Sequence, residues 1–197
     1  MKKSTSKNIA SKVIDLKIYA LKNLKKSINK DFDKAVNTIV ECRSKIILCG
    51  VGKSGLIAAK IASTLSSVGS PAFSLSANDC LHGDLGSITK KDVLILISNS
   101  GKSEEIIPII KFANRNKIKL IGIVSKKKSF LYKASDIKIL LPEVKESGLG
   151  FVPTSSTSIQ LAVGDALAVA SLKKNNSVNT IFQDFIQGEA WEDSLKL

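Results

Sequence analysis

Residues 45–62, KIILCGVGKSGLIAAKIA, constrain the fold more than any other stretch of this chain. Ile46 to Cys49 reads as a buried strand, Gly50 and Gly52 as a tight turn, and Lys53 to Gly55 as the opening of a helix. A strand that turns on glycines into a helix N-terminus directs several backbone N–H groups at one point. The helix dipole adds partial positive charge there, so the loop suits an anion such as phosphate.

From residue 45 onward strand and helix patterns alternate. Runs rich in Ile, Leu and Val at 45–49, 71–75, 92–98, 118–124 and 136–141 predict five strands. Helices are expected at about 54–68 and 103–116, with shorter pieces near 77–82 and 128–134. Continuous apolar strands separated by helices predict an α/β fold, a doubly wound parallel sheet covered on both faces. Ligands bind such sheets beyond the C-terminal strand ends, where strand order reverses. Upstream, residues 7–42 carry helix-period apolar positions and predict two helices broken near Asn29 to Asp31, packed beside the sheet or against another subunit. After the last strand, a Thr/Ser cluster following Pro153 opens a helix from about Thr154 to Lys173. Its body, IQLAVGDALAVASL, is apolar nearly all round and rich in small residues, which predicts burial at a subunit interface. Residues 178–197 read as one more short helix and a frayed end.

The 197 residues fit one domain: a helical segment 1–43, an α/β core 44–175 and a tail 176–197. Hydrophobic residues make up 44% of the chain and aromatics only 5%, so aliphatic side chains must fill the core. No apolar run reaches the roughly 18 residues of a membrane span, and the first residues lack the apolar segment of a secretory signal, so a cytoplasmic protein is expected. Three cysteines, Cys42, Cys49 and Cys80, show no CxxC spacing, which argues against a disulfide framework or a zinc knuckle. A net charge of +13 invites a nucleic-acid reading. The charge is nearly all lysine, with arginine only at Arg43 and Arg115, and it is dispersed apart from Lys126 to Lys128. A solvated lysine surface that draws in an anionic substrate fits better, and no nucleic-acid or membrane partner is expected.

Gly50, Gly52 and Gly55 spell GxGxxG, yet the second strand ends in Phe73, Ser74, Leu75 and Ser76, without the acid that holds a dinucleotide ribose. A P-loop would need its first glycine at Ile47, inside the strand. A second anion-type loop, Ser98-Asn99-Ser100-Gly101-Lys102-Ser103, follows the third strand, with Ser103 and the acids after it also readable as a helix cap. The cluster Thr154 to Thr157 supplies a third. Two such loops and a third helix start favour a phosphorylated ligand over simple capping.

CGVGKSG, HGDLG (His82 to Gly86), SNSG followed by Ser103 and Glu105, KESGLGFVPTSST (Lys145 to Thr157) and GDALA (Gly164 to Ala168) occur in this order. Over about residues 35–185 this set resembles the sugar-isomerase (SIS) domain of the D-arabinose 5-phosphate isomerases. That family interconverts D-ribulose 5-phosphate and D-arabinose 5-phosphate, in the synthesis of 3-deoxy-D-manno-octulosonate for lipopolysaccharide or capsule. The resemblance implies a five-stranded, flavodoxin-like parallel sheet flanked by helices, and homotetramers, dimers of dimers, with shared active sites. It implies catalytic roles for Lys53, His82, Glu105 and Glu146. It implies sugar-phosphate contacts from Gly52, Ser54, Gly69, Ser70, His82, Ser98, Asn99, Ser100, Ser103, Thr154 and Ser155. No cofactor and no metal are expected.

Aldose–ketose isomerisation needs a base to move a proton between C1 and C2 through an enediol, and an acid or cation to polarise the oxygens. One of Glu105 or Glu146 is the expected base. Lys53 would stabilise the enediolate or the phosphate, and His82 would open the ring or orient hydroxyls. The chain departs from the family at Gln187, where a histidine is usual in the stretch after the long helix, and at Ser76, where a histidine precedes HGDLG. Glutamine hydrogen-bonds a hydroxyl but does not shuttle a proton near neutral pH. The chain ends at Leu197, which predicts a form without the paired CBS regulatory modules that many relatives carry. Two other readings stand beside the isomerase: a non-catalytic SIS module that senses a phosphosugar, and an SIS isomerase of a hexose phosphate.

Overall fold

Runs of Ile, Leu and Val with few polar interruptions form five parallel strands: β1 (Ile46–Gly50), β2 (Ala72–Ser76), β3 (Val93–Ser98), β4 (Lys119–Val124) and β5 (Ile137–Leu140). A computed structural model describes residues 5–175. Each strand boundary falls within one residue of its sequence expectation. The strand order is β2-β1-β3-β4-β5, the flavodoxin-like doubly wound arrangement, with β1 and β3 flanking the switch point.

Successive strand residues face opposite sides, so the sheet feeds two cores. Ile46, Leu48, Ile95, Ile97, Ile121 and Ile123 pack with α2 (Lys30–Glu41), α3 (Lys53–Ser67) and α7 (Ser155–Lys174). Ile47, Cys49, Leu94, Leu96, Leu120 and Val124 pack with α4 (Ala77–Cys80), α5 (Ile106–Arg115) and α6 (Phe130–Ala134). The expected cover on both faces holds for β1 and β3 but not for the edge strand β2, whose Phe73 and Ser74 are exposed.

The N-terminal helices pack beside the sheet. α1 (Ser6–Ser27) lies on α7, and α2 lies on α7 and β5. The break between them follows from Asn29, whose Oδ1 accepts from the Asp31 N–H at 2.8 Å and caps α2.

One expectation is narrowed and one corrected. Much of the apolar girth of α7 is covered by α1, α2 and α3 of its own chain, while Ala166 and Val169 stay exposed. The small side chains serve that packing: a Cβ at Gly164 would overlap Cδ1 and Cγ1 of Ile61 on α3. The helix after β3 starts at Ile106, so Ser103 does not cap it. Residues 103–105 instead form tight turns, with Ile106 N–H donating to Ser103 O and Ile107 N–H to Glu104 O, each at 3.2 Å. The expected C-terminal helix at 178–197, and Gln187 with it, lie outside the described residues.

Candidate active site

Four loops at the C-terminal ends of parallel strands carry most of the expected site residues. The first follows β1. Gly50 and Gly55 are required for contact between backbones, since a Cβ on Gly50 would sit 2.8 Å from the Ser54 carbonyl and one on Gly55 would sit 2.8 Å from the Gly50 oxygen. Gly52 has a φ of 57° and opens α3. Lys53, the first residue of α3, is exposed, and no acid stands in that first turn. Among the described residues it has no ion pair. A cation at the positive end of a helix dipole, with no anion beside it, is a place that favours an anionic ligand.

The Ser54 hydroxyl donates to Oε1 of Gln160 at 3.2 Å. Gln160 is buried on α7 and its Nε2 has no partner among the described residues. Sequence reasoning passed over Gln160, although a lone amide in an otherwise apolar stretch, IQLAV, was a signal that it meets something polar. Beneath this loop the buried Cys49 thiol neighbours Cys80, and the interaction of the two thiols together with burial raises Cys49 far above its ordinary range.

The second loop, after β3, divides its polar groups between shaping itself and facing outward. The buried Ser98 hydroxyl accepts from the Gly101 N–H at 3.0 Å. Asn99 Oδ1 accepts from the Ser125 hydroxyl at 2.8 Å, which ties this loop to the one after β4. Ser100 Oγ accepts only from the Lys102 N–H, at 3.3 Å, and is exposed. Ser100 and Ser103 are therefore the hydroxyls best placed for a ligand. Glu105 is half-buried beside them, without a hydrogen bond or ion pair among the described residues.

His82 follows β2 and α4 in an exposed turn, its N–H donating to Asp79 O at 2.8 Å. The fourth loop, after β5, holds Glu146. Its carboxylate reaches back to the start of α7, where Oε2 accepts from the Thr154 N–H at 2.7 Å, the Thr154 hydroxyl at 3.0 Å and the Ser155 N–H at 2.7 Å, while Ser156 N–H lies at 3.3 Å from Oε1. Glu146, not the Thr/Ser cluster, caps this helix, because the Thr154 side chain makes no cap bond. Burial pushes the Glu146 carboxyl up, but hydrogen bonds from Ser156, Thr154 and Ser155 outweigh it and hold the group below the usual carboxylate range. The Thr154 and Ser155 N–H groups are thus already engaged.

Gly69 and Ser70 do not join the group. They follow α3 and precede β2, so they stand at the N-terminal end of the sheet, a strand length of about 15 Å from the loops above.

The sequence model of the SIS domain matches residues 39–170 of this chain. The chain belongs to the SIS domain family. Arabinose 5-phosphate isomerase KdsD of Yersinia pestis is 44% identical over 162 residues, 82% of this chain and 49% of the relative. The KdsD protein of Francisella tularensis is 44% identical over 173 residues, 86% of this chain and 53% of the relative. This SIS chain spans about half the length of the curated relatives it matches. A solved structure of an Escherichia coli CFT073 protein in complex with arabinose 5-phosphate superposes with a TM-score of 0.87 at 31% identity, covering 94% of this chain and 99% of that one.

In this SIS domain the loops at one end of the sheet carry Lys53, His82, Glu105, Ser100 and Ser103, and Lys53 and Glu105 have no ion pair among the described residues. No three His, Cys, Asp or Glu side chains converge as a metal-ligand set among the described residues.

Proposed function

We propose that the chain is an aldose–ketose isomerase that interconverts D-ribulose 5-phosphate and D-arabinose 5-phosphate without a redox cofactor or metal, supplying 3-deoxy-D-manno-octulosonate synthesis. The observation that carries the reading is Glu105: a half-buried carboxylate free of partners among the described residues, directly after the serine loop. The KdsD names of the relatives, and the arabinose 5-phosphate bound in the similar structure, support the choice of a five-carbon substrate.

In this reading the phosphate sits on Ser100 and Ser103 and the N–H groups of Gly52 and Lys53, since those of Ser54, Gly55 and Leu56 already donate to Val51 O and Gly52 O. Glu105 removes the proton from C2 of the aldose, giving an enediolate whose negative charge Lys53 stabilises. His82 moves a proton between the O1 and O2 oxygens, and Glu105 returns its proton to C1, giving the ketose. With Glu146 committed to α7, we assign it to holding the pocket wall rather than to proton transfer.

We also propose that the 197 residues act as one SIS unit in the cytoplasm; no described helix is long and apolar enough to cross a membrane. A homotetramer with shared sites is part of the proposal; Gly69 and Ser70, at the far end of this chain's sheet, could serve only a site on a neighbouring subunit.

Incubation with D-arabinose 5-phosphate in D2O, followed by NMR, tests the proposal. D-ribulose 5-phosphate carrying deuterium at C1 is the expected product. Saturable binding without exchange would instead mean a phosphosugar-sensing module, and turnover of a hexose phosphate in preference would move the substrate class.

A further inference from the structure

A cavity of about 440 Å³ opens beyond the C-terminal ends of β3 and β4, walled by Lys102, Lys126, Lys127 and Lys128 with a single acid, Glu143. It lies on the β4 side of the serine loop. Lys53 and His82 follow β1 and β2, on the other side. One serine, Ser100, lines this cavity and also belongs to the proposed phosphate cradle.

The charge is unbalanced. Lys126 pairs with Glu143 at 2.6 Å, while Lys102, Lys127 and Lys128 have no ion pair among the described residues. Three uncompensated cations therefore face one concave space, and Lys126 to Lys128 is the only run of three lysines in the sequence. Concave walls of low dielectric focus such a field and raise the local concentration of anions.

The walls are also fixed in advance. Ser125 donates through its hydroxyl to Asn99 Oδ1 at 2.8 Å and through its N–H to Asn99 O at 3.2 Å, and Leu131 N–H donates to Gly101 O at 3.2 Å. Gly101 sits so close to Ser129 that a Cβ there would overlap the serine side chain. The serine loop and the lysine loop thus form one body with a set gap, so binding orders the exposed lysine side chains but not the loop backbones. Its volume is that of a small-ligand pocket.

A sugar monophosphate held on the serine loop uses one anionic group and leaves these lysines unused. We propose that the cavity is a second anion site, taking a small ligand with two adjacent anionic groups, a diphosphate or a phosphate next to a carboxylate, bound beside the sugar-phosphate cradle. Through Ser100 the two sites share a wall, so occupancy of one changes affinity at the other. The inference stands whether or not the chain turns over a pentose phosphate.

Calorimetric titration with inorganic pyrophosphate tests it on the full chain. Wild type is expected to bind one pyrophosphate per chain. Lys127→Ala with Lys128→Ala should weaken binding by about tenfold or more, whereas Lys53→Ala should leave it within about twofold. Both variants change exposed side chains, and unchanged thermal unfolding confirms the fold. Equal pyrophosphate binding by wild type and the double variant would overturn the site, as would loss of binding in Lys53→Ala, which would place pyrophosphate in the sugar-phosphate cradle. A short single-stranded RNA that binds more tightly than pyrophosphate, and is lost in the same double variant, would also overturn it in favour of a nucleic-acid surface.

Discussion

Glu105 and Glu146 bring the same carboxylate to the same end of the sheet, and their surroundings give them different work. Glu146 accepts three backbone N–H groups and a hydroxyl at the start of α7, while Glu105 has no such partner among the described residues. Glu146→Gln should therefore lower stability by roughly 1–2 kcal/mol, read in urea unfolding, because it removes a charged helix cap. Glu105→Gln should leave the urea midpoint in place and cut turnover by about a hundredfold or more. The reverse pattern would exchange the two assignments. Asp92 is a third carboxylate, buried, with purely structural partners: the Ser44 hydroxyl at 2.6 Å, the Lys45 ammonium at 2.9 Å and the Thr89 N–H at 2.6 Å. Burial opposes its charge, but these bonds prevail and lower its pKa to about 2. A depressed carboxyl stabilises the fold fully above its unfolded value, near 3.8, and that contribution disappears as pH falls through the folded one. Unfolding free energy should drop by about 2 kcal/mol between roughly pH 4 and pH 2, and Asp92→Asn should lose that slope along with much of the stability at neutral pH.

At the scale of elements, α3 and α7 meet tightly at Gly164, where only a hydrogen leaves room for the buried Ile61. Gly164→Ala should destabilise by about 1–3 kcal/mol despite the better helix propensity of alanine, since the neighbouring core has no slack. Calorimetry would decide, and a stabilised variant would show that the two helices can part. The strands were legible from sequence because an aliphatic run between a glycine turn and a helix has few other outcomes. The site was legible where chemistry follows local pattern, as at Lys53 on its glycine turn. It was not legible where a residue acts across sequence. Glu146 caps a helix that begins nine residues later, beyond the reach of any capping motif, and Gln160 meets Ser54 from 106 positions away. α7 was only partly legible for a related reason. A helix apolar all round announces burial but not what buries it, and here three helices of the same chain do so.

At the scale of the whole molecule, several large apolar side chains are exposed among the described residues. Leu149 is 88% exposed and Phe151 84%, in the loop just before α7, and Ile14 and Tyr19 face outward from α1. Light scattering should give a particle of about four times the 21.1 kDa chain mass. Leu149→Asp with Phe151→Asp should break it into smaller species. A wild-type monomer with full activity would sink the shared-site arrangement and leave Gly69 and Ser70 without a part in binding. The backbone contact between Gly50 and Gly55 bears on how such a particle can move. With no side chain between the end of β1 and the first turn of α3, strand and helix meet backbone to backbone like two courses of masonry, which leaves the proposed floor of the site little room to tilt. If the proposed isomerase opens to admit its substrate, the movement is expected instead in the loop of Gly148 and Gly150, both at positive φ, so the Leu149→Asp, Phe151→Asp variant that tests assembly would also test substrate entry.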